Sequence, residues 1–179
     1  MPAIIIAGLP GTGKTHLSMK LASALMDRSI PALIVHTDVL KVTLRELYPG
    51  EMKGPGYKGN ISRKIDLMAD ALAKQVLKAE KDGYNVIIEG TLSPGLIIQN
   101  SLYVLLEASE EERTRRISQK HKTATAELLN SSMDEYEKFL ESVKRTSVLQ
   151  INSETSLNDM VDVIMSRFIN LYFCQRSLN

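Results

Sequence analysis

The stretch AGLPGTGKTH, residues 7–16, follows directly on the apolar run AIII and constrains the chain more than any other. From Gly8 to Thr15 it matches G-x-x-x-x-G-K-[S/T], with a buried strand before it and a helix after it. Gly8, Gly11 and Gly13 allow a tight turn in which successive N–H groups converge on one anion. The helix starting near Lys14 adds the positive end of its dipole and its own open N–H groups. The pattern predicts a nucleoside triphosphate cradle, for ATP with GTP also admitted. Lys14 falls on the β/γ-phosphates, the Thr15 hydroxyl on Mg²⁺, and Thr12 and His16 beside the nucleotide. The plain alternative is a glycine-rich turn with an incidental lysine. At ordinary glycine usage it would match in about one such chain in a few hundred, before the strand and helix are required.

Five short apolar segments, 3–7, 32–36, 85–90, 101–107 and 148–152, read as strands buried on both faces. Between and after them, helical patterns run over 14–28, 39–47, 61–82, 109–118, 124–144 and 156–173. Leu17, Leu21, Ala24 and Leu25 repeat at helical spacing, as do Ile61, Ile65, Met68, Leu72, Val76 and Ala79. This alternation predicts an α/β fold, a five-stranded parallel sheet with helices on both faces. At 179 residues, without repeats or a linker, one domain over 1–179 is expected. The long glycine- and proline-rich loop YPGEMKGPGYKGN (48–60) is a functional candidate, and Tyr48 and Tyr57 either cover a substrate or anchor the loop. Met19, Met26 and Met68 are expected in the core.

A net charge of +1 argues against nucleic acid or an anionic membrane as a partner, although a local basic patch stays open. The single cysteine, Cys174, fits a reducing compartment. The opening residues lack a basic region and are broken early by glycine and proline, so a signal peptide is not expected. No apolar run nears the roughly 20 residues of a spanning helix, and a cytoplasmic protein is expected. Composition is silent on oligomeric state.

The second strand ends in HTDVLK, which puts Asp38 at the carboxyl edge where parallel sheets bind ligands. Asp38 either deprotonates an acceptor hydroxyl, holds a Mg²⁺-bound water, or, like Thr37, N-caps the next helix. Glu89 ends the third strand in VIIEGT. If that strand lies beside the first, Glu89 is near the Mg²⁺ site, where it contacts the metal, a metal-bound water or the acceptor; the plain alternative is a strand-end carboxylate paired with a basic neighbour. Lys41 and Arg45 share a helix face and either bind an anionic substrate or form a solvated surface. Thr91 is a further substrate candidate. His16, His36 and His121 show no metal-ligand spacing, and His36 reads as a packed strand-end residue. In SEEERTRRISQK (109–120), Arg113, Arg116 and Lys120 project together and Arg115 elsewhere. Glu112–Arg116 and Glu111–Arg115 pairs are the alternative use of these arginines.

Taken together, the phosphate loop, Asp38, IIEG on the third strand and the arginine-bearing helix resemble the small P-loop kinases. Gluconate kinase, chloramphenicol phosphotransferase, polynucleotide 5′-hydroxyl kinase and the zeta toxins belong to that group. DGYNVIIEGT (82–91) is similar to the zeta-toxin Walker B region. HTDVLK with IIEG and SPGLI resembles archaeal 2-phosphoglycerate kinase. The zeta-type histidine–proline pair is replaced by LRELYPGE, and the connection from Thr91 to Ser101 is short. The resemblance implies a three-layer P-loop NTPase fold with a helical lid over about residues 109–144. There Arg116 and Arg113 would face the phosphates and Lys120 would stand where arginine is usual. It also implies an anionic, hydroxyl-bearing acceptor, a metabolite or nucleotide sugar. The expected activity is Mg²⁺-dependent phosphoryl transfer from ATP to an alcohol, with Asp38, Lys14, Arg116 and Glu89 as catalytic residues. The rivals are a polynucleotide 5′-hydroxyl kinase and a nucleotide-hydrolysing ATPase or switch.

Overall fold

The alternation of side chains along a strand decides what covers each face of the sheet. In Ala3–Ala7 (β1) every residue is buried, with Ile4 and Ile6 on one face and Ala3 and Ile5 on the other. The computed structural model describes residues 3–53, 60–90, 93–96, 98–120 and 148–176. After β1 come Lys14–Met26 (α1), Ala32–His36 (β2), Thr37–Leu47 (α2), Ile61–Lys81 (α3) and Asn85–Glu89 (β3). A 3₁₀ turn at Ser93–Gly95 then leads into Ser101–Glu107 (β4), Glu110–Lys120 (α4), Val148–Asn152 (β5) and Leu157–Arg176 (α5).

The five strands are parallel in the order β2-β3-β1-β4-β5. Leu17, Leu21 and Leu25 of α1 join Val161, Ile164, Met165 and Phe168 of α5 over Ile4 and Ile6. Leu44 of α2 joins Leu67, Met68 and Leu72 of α3 over Ala3, Ile5 and Ile88. Helices therefore cover both faces, as the alternation of segments predicts.

Three expectations need correction. Only β1 and β3, inside the sheet, are buried throughout. The edge strands β2 and β5 are partly open, and β4 is buried only at Val104 and Leu106. Met68 is in the core, but Met19 and Met26 are exposed, because they lie off the stripe of Leu17, Leu21 and Leu25. Element ends also differ by a few residues: α1 stops at Met26, α2 starts at Thr37, and α4 runs to Lys120. Among the described residues no helix is long and apolar enough to cross a membrane. Helix 124–144, His121, Thr91 and Tyr57 lie outside the described residues, as do the side chains of Lys120 and Cys174.

Candidate active site

Parallel pairing brings the carboxyl ends of all five strands to one edge, where the phosphate loop, Glu89 and the start of α2 lie. Gly8 has φ +149°, and a Cβ on it would lie 2.4 Å from the Leu106 carbonyl oxygen and 2.8 Å from Thr12 Oγ1. Gly11 has φ +83°, and its Cβ would lie 2.8 Å from the Arg113 carbonyl oxygen. Glycine is thus required at both positions, by backbone conformation and by the approach of β4 and α4. Buried Thr12 donates from its hydroxyl to the Leu9 carbonyl at 2.9 Å and fixes the turn. Gly13, at φ +89°, precedes α1 without a side-chain cap, so the first N–H groups of α1 are available to an anion. The Lys14 ammonium lies across the loop, donating to the carbonyls of Gly8 (2.9 Å) and Leu9 (3.0 Å). His16 is exposed on α1.

The strand order places β3 between β1 and β2, which meets the condition for Glu89. The Thr15 hydroxyl donates to Glu89 Oε1 at 3.0 Å, and His36 Nδ1 lies 2.5 Å from the same oxygen. Glu89 is 5% exposed and so links the phosphate loop to the end of β2. A hydroxyl beside a carboxylate is an all-oxygen donor set of the kind Mg²⁺ takes with phosphate and water. Glu89 therefore lies beside the phosphate-loop hydroxyl of Thr15 and has His36 as its basic neighbour.

Asp38 lies in the first turn of α2, exposed. The capping expectation fails: His36 occupies the N-cap without a side-chain bond, and the Thr37 hydroxyl is buried against Gly90. Beside Asp38, burial lowers the pKa of Lys41, the Asp38 charge raises it, and Arg45 lowers it. A third cation, Lys64 of α3, is 0% exposed and donates to the Lys53 carbonyl at 2.6 Å. Its pKa is lowered by burial, then by repulsion from Lys41 and Arg45. On α2, Lys41 is half-buried and Arg45 is exposed, and the charges of both bear on Lys64 of α3.

Across the loop, α4 supplies Arg116. Its Nη1 lies 3.0 Å from Ser153 Oγ and 3.4 Å from the Thr12 carbonyl, and its Nη2 lies 3.0 Å from the Ser153 carbonyl. Its Nε donates to Glu112 at 2.7 Å. Arg115 turns outward and binds Glu112 rather than Glu111. These two guanidinium groups hold the Glu112 carboxyl at about 2. Arg113 is buried, its backbone packed on Gly11.

Three site residues escape the sequence patterns. Ser153 follows β5 at the carboxyl edge, and buried Ser93 has its hydroxyl 2.9 Å from the Ile6 carbonyl oxygen. Lys64 had a readable signal: it falls three residues after Ile61 and four before Met68, a lysine on an apolar stripe.

Residues 4–138 match the family described as AAA domain. A cytidylate kinase from Ignicoccus hospitalis is 31% identical over 141 residues, covering 76% of this chain and 75% of its own. The crystal structure of a sugar kinase from Janibacter sp. HTCC2649 aligns with a TM-score of 0.66 at 13% identity. That alignment covers 96% of this chain and 95% of its own, a likeness of fold.

Proposed function

Because the chain belongs to the AAA domain family and has the α/β fold of a small-molecule P-loop kinase, we propose that it transfers the γ-phosphoryl group of ATP to a hydroxyl of a small anionic molecule. The observation that carries this reading is the position of Glu89. It joins Thr15 of the phosphate loop to His36, two residues before Asp38. Donor and acceptor groups thereby share one sheet edge.

Lys14 leaves its loop carbonyls to meet the β/γ-phosphate oxygens, supported by the uncapped start of α1. Thr15 and Glu89 would hold Mg²⁺, with Asp38 reaching a metal-bound water. The ion supplies charge neutralisation on the phosphates when bound. Arg116, already at the loop through the Thr12 carbonyl, offers its guanidinium to the charge that spreads over the transferring group. Asp38 orients the acceptor hydroxyl and takes its proton. Lys41 and Arg45 bind the anionic part of the acceptor.

A second reading has a specific support. The relative from Ignicoccus hospitalis is a cytidylate kinase, which favours a nucleoside monophosphate whose phosphate oxygen accepts the group. That acceptor needs no base at Asp38. Labelled γ-phosphate transfer to gluconate, UDP-N-acetylglucosamine, cytidine monophosphate and a short oligonucleotide separates the readings. Acceptor-stimulated turnover that collapses in Asp38→Asn supports the alcohol. Transfer to cytidine monophosphate that survives Asp38→Asn supports the second reading. Hydrolysis unmoved by any acceptor overturns both.

A further inference from the structure

Glu89 is buried, and a buried carboxylate needs hydrogen-bond donors around it. Two side chains supply them, from different elements. Thr15 Oγ1, at the start of α1, donates to Oε1 at 3.0 Å, and His36 Nδ1, at the end of β2, lies 2.5 Å from the same oxygen. A carboxylate only accepts, so Nδ1 donates. Among the described residues no hydrogen bond reaches Oε2. Compensation for burial alone would be served better by donors spread over both oxygens. The terminal torsion of a glutamate is broad, so one donor leaves the carboxylate free to turn. A second donor from another direction fixes its plane and selects which oxygen stays open. The parallel register sets His36 opposite Glu89. His36 is also the N-cap of α2, yet its ring makes no capping bond to that helix and reaches across to β3 instead.

We infer that His36 is a positioning residue for phosphoryl transfer: its Nδ1–H bond holds the Glu89 carboxylate in the one orientation that engages Oε1 and leaves Oε2 open to Mg²⁺ or its water. The inference rests on the kinase reading and deepens it by naming the residue that presents Glu89. Without the imidazole, Thr15 alone would anchor the carboxylate, which would turn about that single bond. Supports of this kind behind a metal-binding group are worth about 10–100-fold in metal affinity. His36 also opens α2 two residues before Asp38, so the same bond ties the acceptor side of the sheet edge to the phosphate loop. A pair that served only the fold would leave cation binding unmoved.

The test compares two substitutions of matched size. Asparagine places an amide N–H at the depth of Nδ1, whereas leucine fills similar space without a donor. Affinity of the full chain for a non-hydrolysable ATP analogue is measured by calorimetry with Mg²⁺ and with EDTA. The ratio of the two reports how strongly the site couples cation to nucleotide. His36→Leu should lower this ratio by about tenfold or more, while His36→Asn should keep it within about threefold of wild type. Both should leave the affinity in EDTA unchanged. In a Glu89→Ala background, His36→Leu should lower the ratio no further. Equal ratios in wild type and His36→Leu overturn the inference, and a fall in melting temperature alone would make the pair structural. A ratio lowered equally by asparagine and leucine also overturns it, because the ring rather than the bond is then at work. So does a further fall in the Glu89→Ala background. If His36→Leu does not fold, His36→Gln, whose amide sits one bond farther from the backbone, is read by the same criterion. Absence of analogue binding to wild type under either condition rejects the kinase reading instead. Nucleotide binding that Mg²⁺ does not strengthen in wild type rejects only the role of His36.

Discussion

Arg116 joins two roles that the sequence sets against each other. Its Nε belongs to a surface pair with Glu112, while its Nη atoms reach the phosphate loop and Ser153. Exposed pairs contribute a few tenths of a kcal/mol, so the pair alone does not account for an arginine placed here. Arg116→Ala should lower kcat by about a hundredfold or more. It should cost about 1 kcal/mol of stability, from the lost bonds to Ser153. Steady-state kinetics beside urea unfolding measure both, and unchanged kcat would leave Arg116 a tether. Lys14→Ala should abolish transfer, since no other loop side chain brings a cation to the phosphates. Asp38→Asn should preserve nucleotide affinity while kcat falls strongly with an alcohol acceptor. Because Asp38 lies inside the first turn of α2 rather than at its N-cap, its neutralisation should cost the helix only a few tenths of a kcal/mol.

Helix α4 is the element that links these residues, and its docking is sensitive to acid. Glu112 receives Arg115 and Arg116 together, which holds its carboxyl at about 2 against an ordinary 4.5. A carboxylate lowered in the folded state contributes stability above its unfolded pKa and loses it as pH falls toward the folded value. The difference in urea midpoint between wild type and Glu112→Gln should therefore be constant above about pH 5 and shrink toward pH 2. A difference that does not vary with pH would mean the charge on Glu112 is irrelevant to docking. At this scale the sequence was informative about facing but not about partners. Spacing along α4 separates Arg115 from Arg116, because one helix fixes both directions. The bond from His36 to Glu89 depends on the register of β2 on β3, which pairs those residues and is set by tertiary packing. The position of Lys64 on the buried face of α3 was legible from the periodic stripe, but the stripe does not say what a charge buried there would bind.

The whole molecule separates stability from chemistry by face and edge. One apolar cluster lies on each face of the sheet, while the charged groups gather at the carboxyl edge. The phosphate loop could be read from residues 8–15 because its contacts are local and its glycines are irreplaceable. The acceptor side was only half legible, because α2 and α3 meet through the fold. Phe168 tests the separation. It is 0% exposed on α5, against α1, whose first residues are Lys14 and Thr15. Phe168→Ala should cost about 3–5 kcal/mol and lower Tm by on the order of 10 °C. Saturating ADP, at about a hundred times its Kd, should return about 2.7 kcal/mol, since ligand binds only the folded chain. Below the transition, kcat should stay near wild type, because no charged group at the edge has moved. Calorimetric scans with and without ADP, and kinetics well below Tm, check the three statements. A folded Phe168→Ala protein with strongly reduced kcat would show that α1 transmits core strain to Lys14, so that face and edge are one mechanical unit.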